Sequence, residues 1–189
     1  MAPAPKLLRL VVPEAAVPAE PAEPAEPAEL TDTELYLRFS PYIAGIGFRL
    51  LGRDSEVDDL VQEVFFAAFK QRAQLRDLSA ARSWLAVITV RKARDRLRRR
   101  RLRQFVGLDS CSPLELTYQS MPADDRALLS RVYQSLDRLN VDCRLAWILR
   151  YIEGERLEGV AERCGCSLAT AKRRIAAAQA HLQAEMDDA

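Results

Sequence analysis

From residue 31 onward, apolar residues recur every three or four positions, which is the spacing of a buried helix face. The clearest helix is predicted from Asp54 to Lys70, with Asp54 as its N-cap. No stretch alternates in the manner of a strand, and the chain has only 7 glycines. The pattern therefore predicts an all-α fold. The apolar face of this helix is formed by Val57, Leu60, Val61, Val64, Phe65 and Ala68.

The same periodicity predicts further helices on both sides. One runs from Asp32 to Leu51 and stops at Gly52, because glycine readily adopts the left-handed conformation that ends a helix. Another begins near Ser79 or Ala80 and carries a stripe that includes Trp84. Two more are predicted from Leu129 to Leu139 and from Arg144 to Ile152.

The best-defined local motif lies between residues 157 and 182. A short helix from Leu157 to Cys164 precedes Gly165, and Ser167 is a natural N-cap for the helix that follows. This order of short helix, glycine turn and capped helix is typical of a helix-turn-helix. The buried face of the second helix is predicted to be Leu168, Ala171, Ile175, Ala178 and Leu182.

The opposite face of that second helix is basic. At 100° per residue Arg173 points away from the buried face, Thr170 is also on the outer face, and Lys172 and Arg174 lie at its flanks. Long donor side chains on such a face reach base edges and phosphates in the major groove. The alternative is an ordinary helical hairpin whose charges are merely solvated.

The net charge of +1 hides an asymmetry along the chain. Residues 1–31 carry a net charge of −3, and the triplet Pro-Ala-Glu repeats four times from Pro18 to Glu29. Proline at every third position blocks helix and sheet hydrogen bonding, so this segment is predicted to be a disordered tail. Residues 105–128 also carry a net charge of −3 and lose periodicity, which predicts a flexible acidic linker.

Residues 32–104 carry a net charge of +7, concentrated near the end of the third predicted helix. Nine basic residues and one acidic residue lie between Arg91 and Arg103. Such a run repels itself unless anions neutralise it, so contact with DNA or RNA is predicted. A solvated helix end and a nuclear-localisation patch are the alternatives.

Several classes of protein are excluded by what the sequence lacks. No apolar run approaches the ~20 residues of a membrane helix, so no membrane insertion is expected. The 4 cysteines form no CxxC pair and there is 1 histidine, so neither a metal site nor a cofactor is predicted. No export signal is evident, which predicts reduced thiols in the cytoplasm. A phosphate-cradling glycine loop and a catalytic carboxylate cluster are also missing, which disfavours a nucleic-acid enzyme.

Four stretches in order resemble a known family, the extracytoplasmic-function (ECF, group 4) type of sigma-70 factor. The helix 58–65 is similar to the family's polymerase-binding helix, and residues 83–101 to its helix for the minus-ten promoter element. Residues 150–154 resemble the segment before the last helix pair. Residues 167–175 resemble the recognition helix for the minus-thirty-five element.

The resemblance implies two small helical domains, sigma region 2 at 32–104 and sigma region 4 at 129–189. The implied partners are core RNA polymerase, through the clamp helices of its largest subunit, promoter DNA and an anti-sigma factor. The residues implied for core-polymerase binding are Asp58, Asp59, Gln62 and Glu63. Those for the minus-ten element are Trp84, Arg91, Lys92, Arg94, Arg98 and Arg99; those for the minus-thirty-five element are Ser167, Thr170, Lys172, Arg173 and Arg174.

Two functions remain open from the sequence. The first is a sigma factor without catalysis of its own, which directs polymerase to promoters. The second is an autonomous helix-turn-helix regulator that binds duplex DNA without polymerase. The second leaves the acidic helix at residues 58–63 without a role.

Overall fold

The computed structural model describes residues 31–52, 54–75, 78–106 and 122–187. Over these residues the chain is helical and has no strand, which confirms the predicted all-α fold. The tail prediction and most of the linker prediction lie outside the described residues. The α-helices are α1 (Asp32–Leu51), α2 (Val57–Lys70), α3 (Ala81–Phe105), α4 (Ala123–Arg138), α5 (Val141–Tyr151), α6 (Leu157–Cys164) and α7 (Leu168–Asp187), with short 3-10 turns at Asp54–Glu56, Arg72–Gln74 and Leu78–Ala80.

Helix α1 has the predicted bounds because both of its ends are capped. The Thr31 hydroxyl accepts from the Glu34 N–H at 3.2 Å, and the Thr31 N–H donates to the Glu34 carboxylate at 2.7 Å. This capping box holds the pKa of Glu34 below its ordinary value. At the other end Gly52 has φ 70° and donates its N–H to the Phe48 carbonyl at 2.7 Å.

One predicted helix start needs correction. Asp54 is not the N-cap of α2, because residues 54–56 form a 3-10 turn and the α-helix begins at Val57. Helix α3 begins at Ala81, next to its predicted start, and also follows a 3-10 turn, at Leu78–Ala80. Neither helix start has a hydrogen bond from a capping side chain. In both cases the chain enters the α-helix through a 3-10 turn, as is frequent at helix N-termini.

Helices α1, α2 and α3 form the first helical unit (residues 31–106). Their predicted apolar faces meet in one core, and α1 and α3 each pack against both other helices. Burying such side chains stabilises the unit by ~1.5–3 kcal/mol each. The fully buried members include Leu35, Ile43, Ile46, Leu50, Leu60, Val64, Leu85 and Val90.

Helices α4 to α7 form the second helical unit (residues 122–187). Helix α4 begins at Ala123, six residues before its predicted start at Leu129. Helices α5 and α7 make the most extensive contact of the unit, tied by a hydrogen bond of 2.9 Å from Trp147 Nε1 to Gln179 Oε1. The predicted stripes are buried or, at Leu139 and Leu157, partly buried, whereas Leu168 is 37% exposed.

The two units pack against each other through buried arginines. Arg144 of α5 is 2% exposed and donates to the carbonyls of Leu50 at 3.1 Å and Leu51 at 3.0 Å. These carbonyls belong to the last turn of α1, where no intrahelical N–H is available to them. Arg144 also pairs with Asp137. One side chain of the second unit therefore completes the end of a helix in the first.

Three further contacts widen this interface. Arg100 of α3 donates to the Leu51 carbonyl at 3.3 Å, and its guanidinium lies 3.5 Å from Asp137. Arg49 pairs with Glu153, with Nη2 donating to Oε2 at 3.0 Å. The Tyr133 hydroxyl donates to the Arg49 carbonyl at 2.9 Å. Polar groups with defined partners thus form several contacts between the units.

We predict that Arg144→Leu lowers the free energy of unfolding by about 2–4 kcal/mol, because it removes the donor of the Leu50 carbonyl and leaves Arg100 as the remaining donor to the Leu51 carbonyl and to Asp137. The matched control is Arg131→Leu on α4, an exposed arginine, which we expect to shift stability by less than about 0.5 kcal/mol. Urea unfolding followed by circular dichroism measures both. Equal midpoints for the two variants would contradict a structural role for Arg144.

Candidate DNA and polymerase interface

The predicted helix-turn-helix is present in the second unit. Helix α6 ends at Gly165, which has φ 61° in the left-handed region. The Ser167 hydroxyl accepts from the Thr170 N–H at 3.2 Å, and the two hydroxyl oxygens are 2.9 Å apart. Ser167 is therefore the N-cap of α7, as predicted. The bonds between Ser167 and Thr170 fix the first turn of the helix.

Helix α7 has the predicted orientation. Ala171, Ile175 and Ala178 are buried, while Lys172 and Arg173 are exposed on the other side. Neither cation forms an ion pair with any residue that the structure describes. This face therefore offers free donor groups to an anionic partner.

Arg174 is placed differently from its neighbours. Its side chain is partly buried, and its Nη2 lies 3.3 Å from Oδ2 of Asp142, in the first turn of α5. Of the three consecutive basic residues on α7, two face solvent and the third is held by a carboxylate within the protein.

The basic run of α3 is also divided between solvent and protein. Arg91 and Arg99 are exposed, and Lys92 is partly so. Arg96 instead pairs with Glu63 at 2.7 Å, and Arg101 donates to the Leu139 carbonyl at 2.8 Å. Carboxylates and carbonyls of the chain thus satisfy several arginines of this run, and the contact of the run with DNA stays a prediction.

Arg94 and Arg98 of this run turn toward the second unit. Arg94 Nε lies 3.0 Å from Asp142 Oδ1, and its Nη2 donates to the Cys164 carbonyl at 2.7 Å. Arg98 Nη2 lies 3.1 Å from Asp142 Oδ2. The same carboxylate that holds Arg174 therefore holds two arginines of α3.

Trp84 lies near the start of α3, ahead of the basic run. It is partly buried and packs against the core of the first unit. This packing anchors the helix, as the sequence suggested.

The acidic helix has one exposed face. Asp58, Asp59 and Gln62 are exposed on α2, and neither aspartate pairs with a cation in the described part of the chain. Glu63 is half-buried and forms an ion pair with Arg96 of α3. Three of the four residues predicted to bind polymerase are thus available to a partner, and the fourth also ties α2 to α3.

The interface between the units contains functional candidates that the sequence did not reveal, above all Asp142. Its partners on α3 lie 44 and 48 residues away along the chain, so no local spacing connects them. The only local signal is Asn140, whose side chain accepts from the Asp142 N–H at 2.9 Å as a helix cap. That signal predicts a helix start and nothing about ion pairing between units.

The described cysteines carry free thiols. Burial raises the pKa of Cys164 to about 11, so this thiol stays protonated near neutral pH. Burial also raises the pKa of Cys143, against the opposing effect of Arg174.

No group of three or more metal-ligating side chains lies together among the described residues. None of the described helices has the length and apolar character needed to cross a bilayer.

Both helical units match known protein families. The family described as Sigma-70 region 2 matches residues 35–103, and the family described as Sigma-70, region 4 matches residues 129–182. The RNA polymerase sigma factor CnrH of Cupriavidus metallidurans is 32% identical over 143 residues, which span 71% of this chain and 75% of that protein. The ECF RNA polymerase sigma factor EcfG of Rhodopseudomonas palustris is 30% identical over 76% of this chain and 78% of its own.

Solved structures agree with these sequence matches. The sigma factor RpoE of Bartonella quintana, in complex with the anti-sigma factor NepR, shares the fold at a TM-score of 0.63 and 24% identity, over 82% of this chain and 96% of that one. CnrH in complex with the cytosolic domain of CnrY aligns at a TM-score of 0.55 and 26% identity, over 83% and 88%.

These findings show that the chain belongs to the sigma-70 family of RNA polymerase sigma factors. Within that family it is of the ECF type, with region 2 in the first helical unit and region 4 in the second. It directs RNA polymerase to promoters, and sigma factors as a family are not enzymes.

We predict that Gly165→Ala destabilises the protein by about 1–2 kcal/mol, the cost of a left-handed conformation for a residue with a Cβ. No atom lies within 4 Å of a Cβ added there, so the backbone angle alone carries the penalty. Gly45→Ala in α1 is the control, and we expect it to stabilise the protein. Its added Cβ meets only the Arg49 side chain, at 3.4 Å, and alanine favours the helix by about 0.5–1 kcal/mol. Thermal unfolding checks both, and a shift in the same direction would contradict the turn geometry.

Proposed function

We propose that different residues of this sigma factor bind core polymerase, the minus-ten element and the minus-thirty-five element. Region 2 docks on core polymerase through α2 and engages the minus-ten element through α3, and region 4 reads the minus-thirty-five element through α7. The observation that carries this proposal is the exposed Lys172 and Arg173 pair on the outer face of a capped helix-turn-helix.

The polymerase-binding face is assigned to Asp58, Asp59 and Gln62. They are exposed on adjacent turns of α2, whose opposite side is buried against α1 and α3. A carboxylate pair of this kind fits a basic surface, which we assign to the clamp helices of the largest polymerase subunit. Glu63 acts mainly by holding Arg96, and so keeps α2 and α3 in register.

The minus-ten face is assigned to α3. Arg91, Lys92 and Arg99 are available for phosphate contacts, and Trp84 orients the helix that presents them. Arg94 and Arg98 belong to the same surface and contact DNA once Asp142 releases them. A helix with several cations along one side suits the backbone of a melting duplex.

The minus-thirty-five face is assigned to the first two turns of α7. Arg173 points most directly outward and is the candidate for bidentate reading of a guanine. Lys172 suits a phosphate, and Arg174 does so when it leaves Asp142. Ser167 and Thr170 set the start of the helix through their mutual hydrogen bond.

Three further assignments follow from membership of the family. The chain acts in the cytoplasm, where its polymerase is, and has no catalysis of its own. We also assign it an anti-sigma factor as a partner. In support, the titles of both solved relatives describe a sigma factor in complex with another protein, the anti-sigma factor NepR in one case and the cytosolic domain of CnrY in the other.

An autonomous regulator that binds DNA without polymerase is disfavoured, because both halves match sigma-70 regions. Co-purification with core RNA polymerase discriminates between the two functions. A chain that binds its promoter duplex fully and never retains polymerase would support the regulator.

We predict that Asp58→Arg with Asp59→Arg reduces core-polymerase binding by tenfold or more while the protein stays folded. Exposed charges contribute little to stability, whereas like charges across an interface cost several kcal/mol. The control is Glu158→Arg with Glu162→Arg, which changes the same number of charges on exposed positions of α6. Pull-down with purified core polymerase measures both. Full retention of polymerase by the α2 variant would end this assignment.

We predict that Arg173→Ala costs ~1–3 kcal/mol of promoter binding and relaxes the preference at one base pair of the minus-thirty-five element. Lys172→Ala, the control next to it, should weaken binding evenly across sequences and lower the salt slope by about 1. Transcription from a promoter library varied at every base of that element separates the two effects. Unchanged base preferences in the Arg173→Ala library would show that another residue reads the DNA.

A further inference from the structure

We propose that Phe66 is the apolar anchor of the polymerase-binding face on α2. Its ring fills an apolar site on core polymerase, next to the basic surface that receives the two carboxylates of the same helix. The inference rests on the assignment of Asp58, Asp59 and Gln62 to polymerase in the proposed function.

Phe66 is a large apolar side chain that the fold leaves in solvent. Its exposed fraction is 63%, whereas the preceding residue, Phe65, is 2% exposed. At 100° per residue, Phe66 points almost directly away from the buried face of α2. Asp59 is seven residues earlier, which places it on the same side of the helix and about 10 Å away along the axis. One partner can therefore contact both side chains.

The exposed side of α2 has the composition of a protein interface. Acidic and amide side chains precede Phe66, and Lys70 follows it, with its Nζ 4.1 Å from the centre of the ring. In many interfaces an aromatic side chain carries much of the binding energy, and the polar side chains around it exclude water. The cation–π contact with Lys70 also orients the ring before a partner binds.

The turn of α2 that carries Phe66 is held in place by an aromatic cluster beneath it. Phe65 packs edge-on against Tyr36 of α1, with 4.8 Å between the ring centroids, and lies 5.8 Å from the ring of Phe69. Burial of Phe65 in this cluster fixes the rotation of the helix, and with it the direction of the neighbouring residue. An anchor that is held in its binding orientation loses little conformational entropy on binding.

The charges beside Phe66 favour core polymerase over a second copy of this chain. Two exposed carboxylates, Asp58 and Asp59, accompany one exposed ammonium group, that of Lys70. In an antiparallel pair of copies each Lys70 would meet two aspartates, and negative charge would remain uncompensated in the interface. A basic surface with an apolar site about 10 Å away neutralises both carboxylates and receives the ring.

Phe66→Ala tests the anchor, because it removes the ring and leaves alanine, a good helix former. We expect the affinity for core RNA polymerase to fall about tenfold or more, mainly through faster dissociation. The matched control is Phe105→Ala, which removes a phenylalanine that is 89% exposed at the end of α3 and should leave the affinity unchanged. Biolayer interferometry with the full chain and purified core polymerase measures both rate constants.

The dependence on salt separates the anchor from the charged contacts. Ions do not screen an apolar contact, so the ratio of affinities between the unsubstituted chain and Phe66→Ala should persist from low to high salt. Asp58→Asn with Asp59→Asn should instead slow association and flatten its dependence on salt. An unchanged affinity of Phe66→Ala would overturn the anchor, as would a loss that vanishes at high salt.

A second variant covers a folding defect in the first. If Phe66→Ala loses helical content in circular dichroism, Phe66→Gln removes the ring with another residue that favours helices. A tenfold loss of affinity in that variant supports the anchor, and full affinity overturns it.

Two further outcomes are distinct. A chain that is dimeric in light scattering, and that Phe66→Ala makes monomeric without changing its affinity for polymerase, would assign the ring to a second copy and overturn the anchor. Failure of the proposed function is separate from all of these results. It would show as full retention of polymerase by Asp58→Arg with Asp59→Arg, whatever the affinity of Phe66→Ala.

Discussion

The contact on which the closed structure depends is the pair of buried arginines at the end of α1. The last carbonyls of a helix need donors from elsewhere, and burying them without donors is costly. Arg144 comes from region 4 and Arg100 from the end of α3, and both reach the Leu51 carbonyl. The end of one helix in region 2 is therefore completed by a residue of region 4. This makes the docked state specific in geometry.

The interface contains many hydrogen bonds and ion pairs beside its apolar contacts. Buried ion pairs gain little net free energy, because desolvation offsets most of the attraction. The contacts among arginines, carboxylates and carbonyls can therefore fix the geometry of the interface while adding little to its strength.

The same arginine-rich run serves several purposes that the sequence does not separate. Arg96 ties α3 to α2 through Glu63, Arg100 completes the end of α1, and Arg94 and Arg98 hold Asp142. Arg91 and Arg99 remain exposed for a partner. Successive residues of a helix are 100° apart, so neighbouring arginines point to different partners. A count of charges is therefore a poor guide to how many contact DNA.

The sequence by itself determined the elements and their buried faces. The spacing of apolar residues predicted α1, α5 and the helix-turn-helix, and Gly52, Gly165 and Ser167 marked ends that depend only on local backbone chemistry. The tertiary structure alone decided which exposed charges are free. Glu63, Arg94 and Arg174 look like open contact residues in the sequence, yet each has a partner on another helix. The two residues of each of these ion pairs are 32 to 48 positions apart in the sequence and lie on different helices. Such pairs leave no periodic signal in the sequence, because they depend on how the folded helices pack together.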